Sequence, residues 1–228
     1  MNALPASAEP VPLLRHLMAT ARAKSDDLVS QLHPAWVQAA WQRIGYDAAP
    51  AAATGPRCSA ALAAVYGLRW ASLAAFRQRA HRIALLPRDR LLRVLAAIGL
   101  HAERERVRRS IVRSTRLAII ERIGEPAYDE LLAAPAGAPG QGGPLSVAEL
   151  DLERLAAAGC AHLGARREWH CRDSLAWVRL ALAPGSTPAS PSPSAAVHDT
   201  ESPLARLPHY FPEHAWLFGS PMDRALSA

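Results

Sequence analysis

Apolar residues recur along most of this chain at intervals of three and four, the repeat of a helix with one buried face. The pattern is clearest from Leu85 to Leu132. Leu91, Leu95 and Ile98 follow at i, i+4 and i+7 behind Pro87, which suits the first turn of a helix because its missing N–H costs nothing there. Gly99 is expected to loosen this helix near its end. A second helix is predicted from about Glu103 to Ile123, with Val107, Ile111, Ala118 and Ile119 on its apolar side. Arg106, Arg109, Arg113 and Arg116, at i, i+3, i+7 and i+10, would then line the other face. Gly124 suits the left-handed position after that helix, and Pro126 cannot continue it. A short third helix should follow, with Tyr128, Leu131 and Leu132 turned inward. Residues 59–132 are the expected core.

The flanks carry weaker versions of the same signal. Val11 to Ala23 reads as a short helix with Leu14, Leu17 and Met18 apolar, and Ser25-Asp26-Asp27 offers a cap for a second. In Leu32-His33-Pro34-Ala35-Trp36, the proline biases His33 away from helical backbone and is itself placed to start a helix. Trp36 and Trp41 are expected in the core. Residues 47–57 and 134–144 are loops by composition. Ser59 to Leu86 reads as one or two helices with a stripe of Leu73, Phe76, Ala80 and Ile83. Ser146-Val147-Ala148-Glu149 matches a capping box, so a helix should start there and run to about Ala158, with Val147, Leu150 and Leu155 inward. Gly159 and Gly164 interrupt the pattern. A last long helix is predicted over Arg166 to Leu182, using Cys171, Leu175, Val178 and Leu182, with Trp169 and Trp177 nearby. No stretch sustains a period of two, so the expected architecture is all-α with six to eight helices.

This divides the chain into a helical domain over 1–182, a linker over 183–203 and a terminal segment over 204–228. The linker is proline, serine, threonine and alanine, too poor in apolar surface to order itself. Tyr210, Phe211, Trp216 and Phe218 lie beyond it, four of the thirteen aromatics in the protein. They are expected to dock, either onto the helical body or onto another protein.

Charge sharpens one part of this picture. Between Arg69 and Arg122 there are fourteen arginines and four carboxylates, so this segment carries +10 while the whole chain carries +6. The partner facing it should be acidic. A basic helix-turn-helix regulator is the alternative, with the first helix of the pair before residue 103 and the arginine-rich helix after it. Glu103 and Glu105 oppose that reading, because they would face phosphates.

Catalytic and cofactor motifs do not emerge. The only lysine, Lys24, follows Arg22-Ala23 rather than a glycine-rich phosphate loop. There is no Gly-x-Ser-x-Gly elbow and no His-Glu-x-x-His. Cys160, His162, His170 and Cys171 are zinc-ligand types in a spacing that matches no standard finger, so no metal and no cofactor are expected. Glu149, Asp151 and Glu153 fall in the first turns of a helix, where the macrodipole favours acids without any catalytic role. Three unevenly spaced cysteines argue against a disulfide framework. The absence of a secretory signal and of a long apolar run leads us to expect a soluble, cytosolic protein with no direct membrane insertion.

Three stretches together resemble a known family: Leu32 to Trp36, Leu86-Pro87-Arg88-Asp89-Arg90-Leu91-Leu92-Arg93, and Leu207 to Gly219. The chain is similar to the SctK (YscK-like) accessory proteins of bacterial type III secretion, most closely the Hrp-type branch called HrpB-four. The resemblance implies a non-enzymatic cytosolic adaptor of the sorting platform. Such adaptors link the SctD-type inner-membrane ring to the SctQ-type pod protein, and through it the SctL-type stator and the ATPase. The resemblance carries over no catalytic residue.

Overall fold

The computed structural model describes residues 10–45, 54–70, 72, 75–135, 143–165, 171–186 and 202–218. Leu73, Trp169, His170 and most of the proline-serine stretch lie outside the described residues. The described residues form thirteen α-helices and no strand. They are α1 (Pro10–Asp26), α2 (Leu28–Gln31), α3 (Pro34–Arg43), α4 (Pro56–Tyr66), α5 (Arg79–Arg82), α6 (Arg88–Ala102), α7 (Arg104–Arg109), α8 (Arg113–Ile123), α9 (Glu125–Ala133), α10 (Leu152–Ala165), α11 (Arg172–Ala181), α12 (Pro203–Tyr210) and α13 (Ala215–Phe218). The all-α expectation holds. The helices are more numerous and shorter than the periodicity predicts, because prolines and glycines divide the apolar stretches.

The centre is α6. Leu91, Leu92 and every residue from Val94 to His101 are buried, so this helix is enclosed on all sides rather than along one stripe. Its main neighbour is α10, and the contact is made by glycines. A Cβ on Gly159 would lie 1.8 Å from the Leu95 carbonyl oxygen, and one on Gly99 would lie 2.6 Å from the Leu155 carbonyl oxygen. The two backbones therefore touch where any side chain would hold them apart. This corrects two expectations. Gly99 does not loosen α6, which runs on to Ala102, and Gly159 does not end α10, which runs to Ala165. A mid-helix glycine costs about 1 kcal/mol relative to alanine. Ala96, Ala156, Cys160 and Leu163, all buried around the crossing, offset that cost by close packing.

The predicted helix from Glu103 to Ile123 is broken. The chain leaves α7 at Ser110 and enters α8 at Arg113. Ser110 fixes the break, since its hydroxyl donates to the Arg106 carbonyl at 2.7 Å and accepts from the Leu145 N–H at 2.7 Å. A side chain that bonds both its own helix and a crossing segment competes with helix continuation. Ile111, expected on the apolar face, is instead 88% exposed. Gly124 has φ 92, as its position between α8 and α9 requires, and Pro126 opens α9.

Other expectations shift for similar local reasons. Ser146 and Glu149 form the predicted capping box, but on a 3-10 turn at Val147–Glu149, with the α-helix starting at Leu152. Val147 is therefore exposed while Leu150 and Leu155 are buried. The last helix before the linker begins at Arg172, not Arg166. Met18 and Leu132 face outward, whereas Leu17, Tyr128 and Leu131 are buried as predicted. Phe76, Ala80 and Ile83 are buried too, but on a run of short turns around α5 rather than one helix.

Lys24 is buried at the end of α1. Its ammonium donates to the carbonyls of Ala84 at 2.8 Å and Leu86 at 2.5 Å, and lies 6.0 Å from the Trp177 ring centroid. Burial lowers its pKa to about 7. Below pH 7 both folded and unfolded chains hold the proton, and the fold bears the cost of a buried charge. From pH 7 towards 10 the folded chain sheds it first, so stability rises by on the order of a few kcal/mol. The Cys160 thiol, pushed up to about 11 by burial, acts oppositely above pH 9. We therefore expect the urea midpoint to rise between pH 7 and 9 in the native chain and not in Lys24→Met. An equal rise in the variant would refute this account.

The glycine crossing generates a second expectation. Gly159→Ala should destabilise by roughly 1–3 kcal/mol or more through overpacking. Gly164→Ala, on the same helix with nothing within 4 Å of the new Cβ, should stabilise slightly. Urea denaturation of the pair measures both, and equal effects would show that the crossing is not the constraint.

Candidate partner-binding surfaces

The arginines expected on one face occupy three different environments. Arg106 is turned inward, with its side chain 18% exposed. Its guanidinium donates to Glu103 at 2.8 Å, to Glu149 at 2.7 Å and to the Gly143 carbonyl at 2.9 Å. It is a clasp joining α7 to the capping-box turn. The bond from Arg106 and those from the Ser146 N–H and hydroxyl hold Glu149 down at a pKa of about 2. Arg109 is exposed at the end of α7, and its Nε donates to the Glu105 carbonyl at 3.1 Å. Arg113 and Arg116 are exposed on α8, the latter 5.5 Å over the Tyr128 ring. The break at Ser110 is why the four do not share one helix face. It leaves Arg109, Arg113 and Arg116 interleaved with the exposed side chains of Ile111, Val112 and Leu117. Periodicity conceals that apolar cluster, since helical spacing alone puts Ile111 on the buried side.

The terminal aromatics lie mostly inside. Tyr210, Phe211 and Phe218 are at most 4% exposed and belong to the same apolar core as α6. The segment passes α9 and α6 and reaches α5. The Tyr210 hydroxyl and His101 Nδ1 are hydrogen bonded at 2.6 Å, Arg206 meets Glu130 at 3.1 Å, and Arg82 donates to the Leu217 carbonyl at 3.0 Å. Trp216 differs. It is 36% exposed and edge-on to His16 of α1, with ring centroids 4.2 Å apart. The segment therefore docks onto the helical body of its own chain.

The other two stretches of the resemblance converge on Glu153 and the end of α11. His33 caps α3 by accepting the Ala35 N–H at 3.1 Å, and its own N–H donates to the Leu180 carbonyl at 2.8 Å. The Trp36 indole donates to the Leu182 carbonyl at 2.9 Å. Arg88, opening α6, donates to the Ala181 carbonyl at 2.9 Å and pairs with Glu153 of α10. His33 Nε2 lies 3.9 Å from the same Glu153. Beside this junction is a groove of about 530 Å³ floored by Trp36, Tyr66, Leu175 and Leu180 and rimmed by Arg172 and Arg179. Neither rim arginine pairs with a carboxylate among the described residues.

Among the described residues no cluster of histidine, cysteine or carboxylate side chains could hold a metal. Cys160 is buried in the helix crossing, and His170 lies outside the described residues. No described helix is long and apolar enough to cross a membrane.

An irregular all-helical body, with basic, partly apolar surface at two places, is the class of protein these features define. The chain belongs to the HrpB4 family of bacterial type III secretion proteins, whose family model matches residues 17–213. No curated relative and no solved structure shows significant similarity to it.

The burial pattern of the terminal segment can be checked directly. Phe218→Ala should cost roughly 3–5 kcal/mol, as for other buried phenylalanines, while Trp216→Ala should cost under about 1 kcal/mol. Equal losses in urea denaturation would contradict the placement of these two side chains.

Proposed function

We propose that the protein is a non-enzymatic adaptor of the type III secretion sorting platform, cytoplasmic and peripheral to the inner membrane. It links the cytoplasmic domain of the SctD-type ring to the SctQ-type pod protein, and so indirectly to the SctL-type stator and the ATPase. An adaptor needs two surfaces that its own fold leaves unfilled. The observation that carries this reading is the pair of such surfaces on different elements: the α7–α8 junction and the groove between α3, α4 and α11. Both combine apolar side chains with guanidinium groups that pair with no carboxylate among the described residues, Arg113 and Arg116 at the first and Arg172 and Arg179 at the second, a composition suited to acidic protein partners. The broken helix counts against the helix-turn-helix alternative. It takes Arg106 and Arg109 off the helix that carries Arg113 and Arg116, and Glu103 and Glu105 are engaged by Arg106 and Arg108 rather than displayed to DNA.

The test is a ternary complex. Purified full-length chain should bind the pod protein and the ring's cytoplasmic domain together, without competition, by size-exclusion chromatography and calorimetry. Deleting the gene should abolish secretion while the membrane rings still assemble. Competition between the two partners, or normal secretion in the deletion strain, would overturn the proposal.

A further inference from the structure

The break at residues 110–112 is built, not frayed. Ser110 is 4% exposed and holds the Leu145 N–H across the junction. That anchoring turns Ile111, Val112 and Leu117 outward, at 88%, 60% and 54% exposure. Burying such side chains is favourable, so an isolated chain forgoes that stabilisation here. Single exposed hydrophobics need no explanation, but three within seven residues around an anchored break form a patch. The charges beside it are equally selective. Arg106, Arg108 and Arg122 all pair with carboxylates. Arg113 and Arg116, on the patch, do not among the described residues.

We propose that Ile111, Val112 and Leu117 are the apolar centre of a docking site for an acidic protein segment that carries apolar side chains. Arg113 and Arg116 engage its carboxylates at the rim. This deepens the adaptor reading and rests on it. Charge complementarity selects this occupant. A second copy across a twofold axis would set these guanidinium groups against their own equivalents. Nucleic acid would satisfy the arginines but press three apolar side chains against a phosphate backbone. A lipid surface would accept both chemistries, yet so small an anchor holds a membrane only marginally.

The experiment titrates purified full-length chain against the pod protein and against the ring's cytoplasmic domain. Ile111→Ser combined with Val112→Ser should weaken one of the two by at least about tenfold. Arg113→Glu with Arg116→Glu should weaken the same one and flatten its salt dependence. Met18→Ser, an exposed apolar control on α1, should change neither. Benzoylphenylalanine placed at position 111 should cross-link to a segment of net negative charge, a readout that survives if a double variant misfolds. If native chain binds both partners and the serine variant binds them equally well, this inference falls and the adaptor reading stands. A cross-link into a segment without net negative charge also overturns it. So does loss, in the serine variant, of self-association, of duplex DNA binding, or of binding to phosphatidylethanolamine–phosphatidylglycerol vesicles in place of protein binding. If native chain binds neither partner, both readings fall.

Discussion

The close crossing of α6 and α10 is the constraint on which the rest of the structure depends. Backbone atoms of Leu95 and Leu155 occupy the space where side chains on Gly159 and Gly99 would be. Two helices in such contact are fixed in both spacing and angle, because neither can slide without a carbonyl meeting a Cα. The buried ridge of α6 is then presented to everything else. α8 and α9 pack on its outer side, and α11 and α12 on others. Small residues at the crossing leave the larger ones, such as Leu91, Ile98 and Leu100, to fill the space around it.

The crossing also explains why two separated sequence stretches converge. Glu153, in the first turn of α10, is carried to the N-terminal end of α6, where Arg88 and His33 approach it. A carboxylate in the first turn of one helix is favoured by the helix dipole, and a guanidinium beside it adds a charge-assisted bond. The same Arg88 takes up the Ala181 carbonyl at the end of α11, and Trp36 takes up the next one, that of Leu182. One arginine side chain thus ties three elements together, α6, α10 and α11. Such side chains hold a fold in register, and their presence in a family resemblance says more about packing than about partners. Lys24 belongs to the same class, since its ammonium donates to the Ala84 and Leu86 carbonyls just ahead of α6.

Helix class and much of the core were legible in the sequence. Leu91, Leu95, Ile98, Tyr128 and Leu131 recur at helical spacing and are buried, and the capping box, Pro87 and Gly124 mark real boundaries. What was not legible depends on tertiary partners. A glycine at the end of an apolar run reads the same whether it ends a helix or admits a neighbouring backbone; only the position of Leu95 decides for Gly159. Ser110 likewise reads as an unremarkable helical residue until Leu145 is placed beside it. The arginine face failed for that reason: its spacing was correct for a helix that a distant N–H donor interrupts. The terminal aromatics were legible as a docking segment, but their receiving site, built from His101, Arg82 and Glu130, is scattered over fifty residues of sequence.

The terminal segment is part of the body rather than an appendage to it. With Tyr210, Phe211, Leu217 and Phe218 in the core, the chain closes on itself: α13 packs on α5, and Trp216 meets α1 near the start of the described chain. Ser186 and Ser202, on either side of the proline-serine stretch, are therefore both held in the described body. The segment from Ser202 onward does not tolerate free change, because its aromatics fill defined space against α6 and α9. The surfaces left over for partners are then those the fold itself turns outward. Of these, the α7–α8 junction is the one where the fold holds apolar side chains in water by a specific pair of hydrogen bonds.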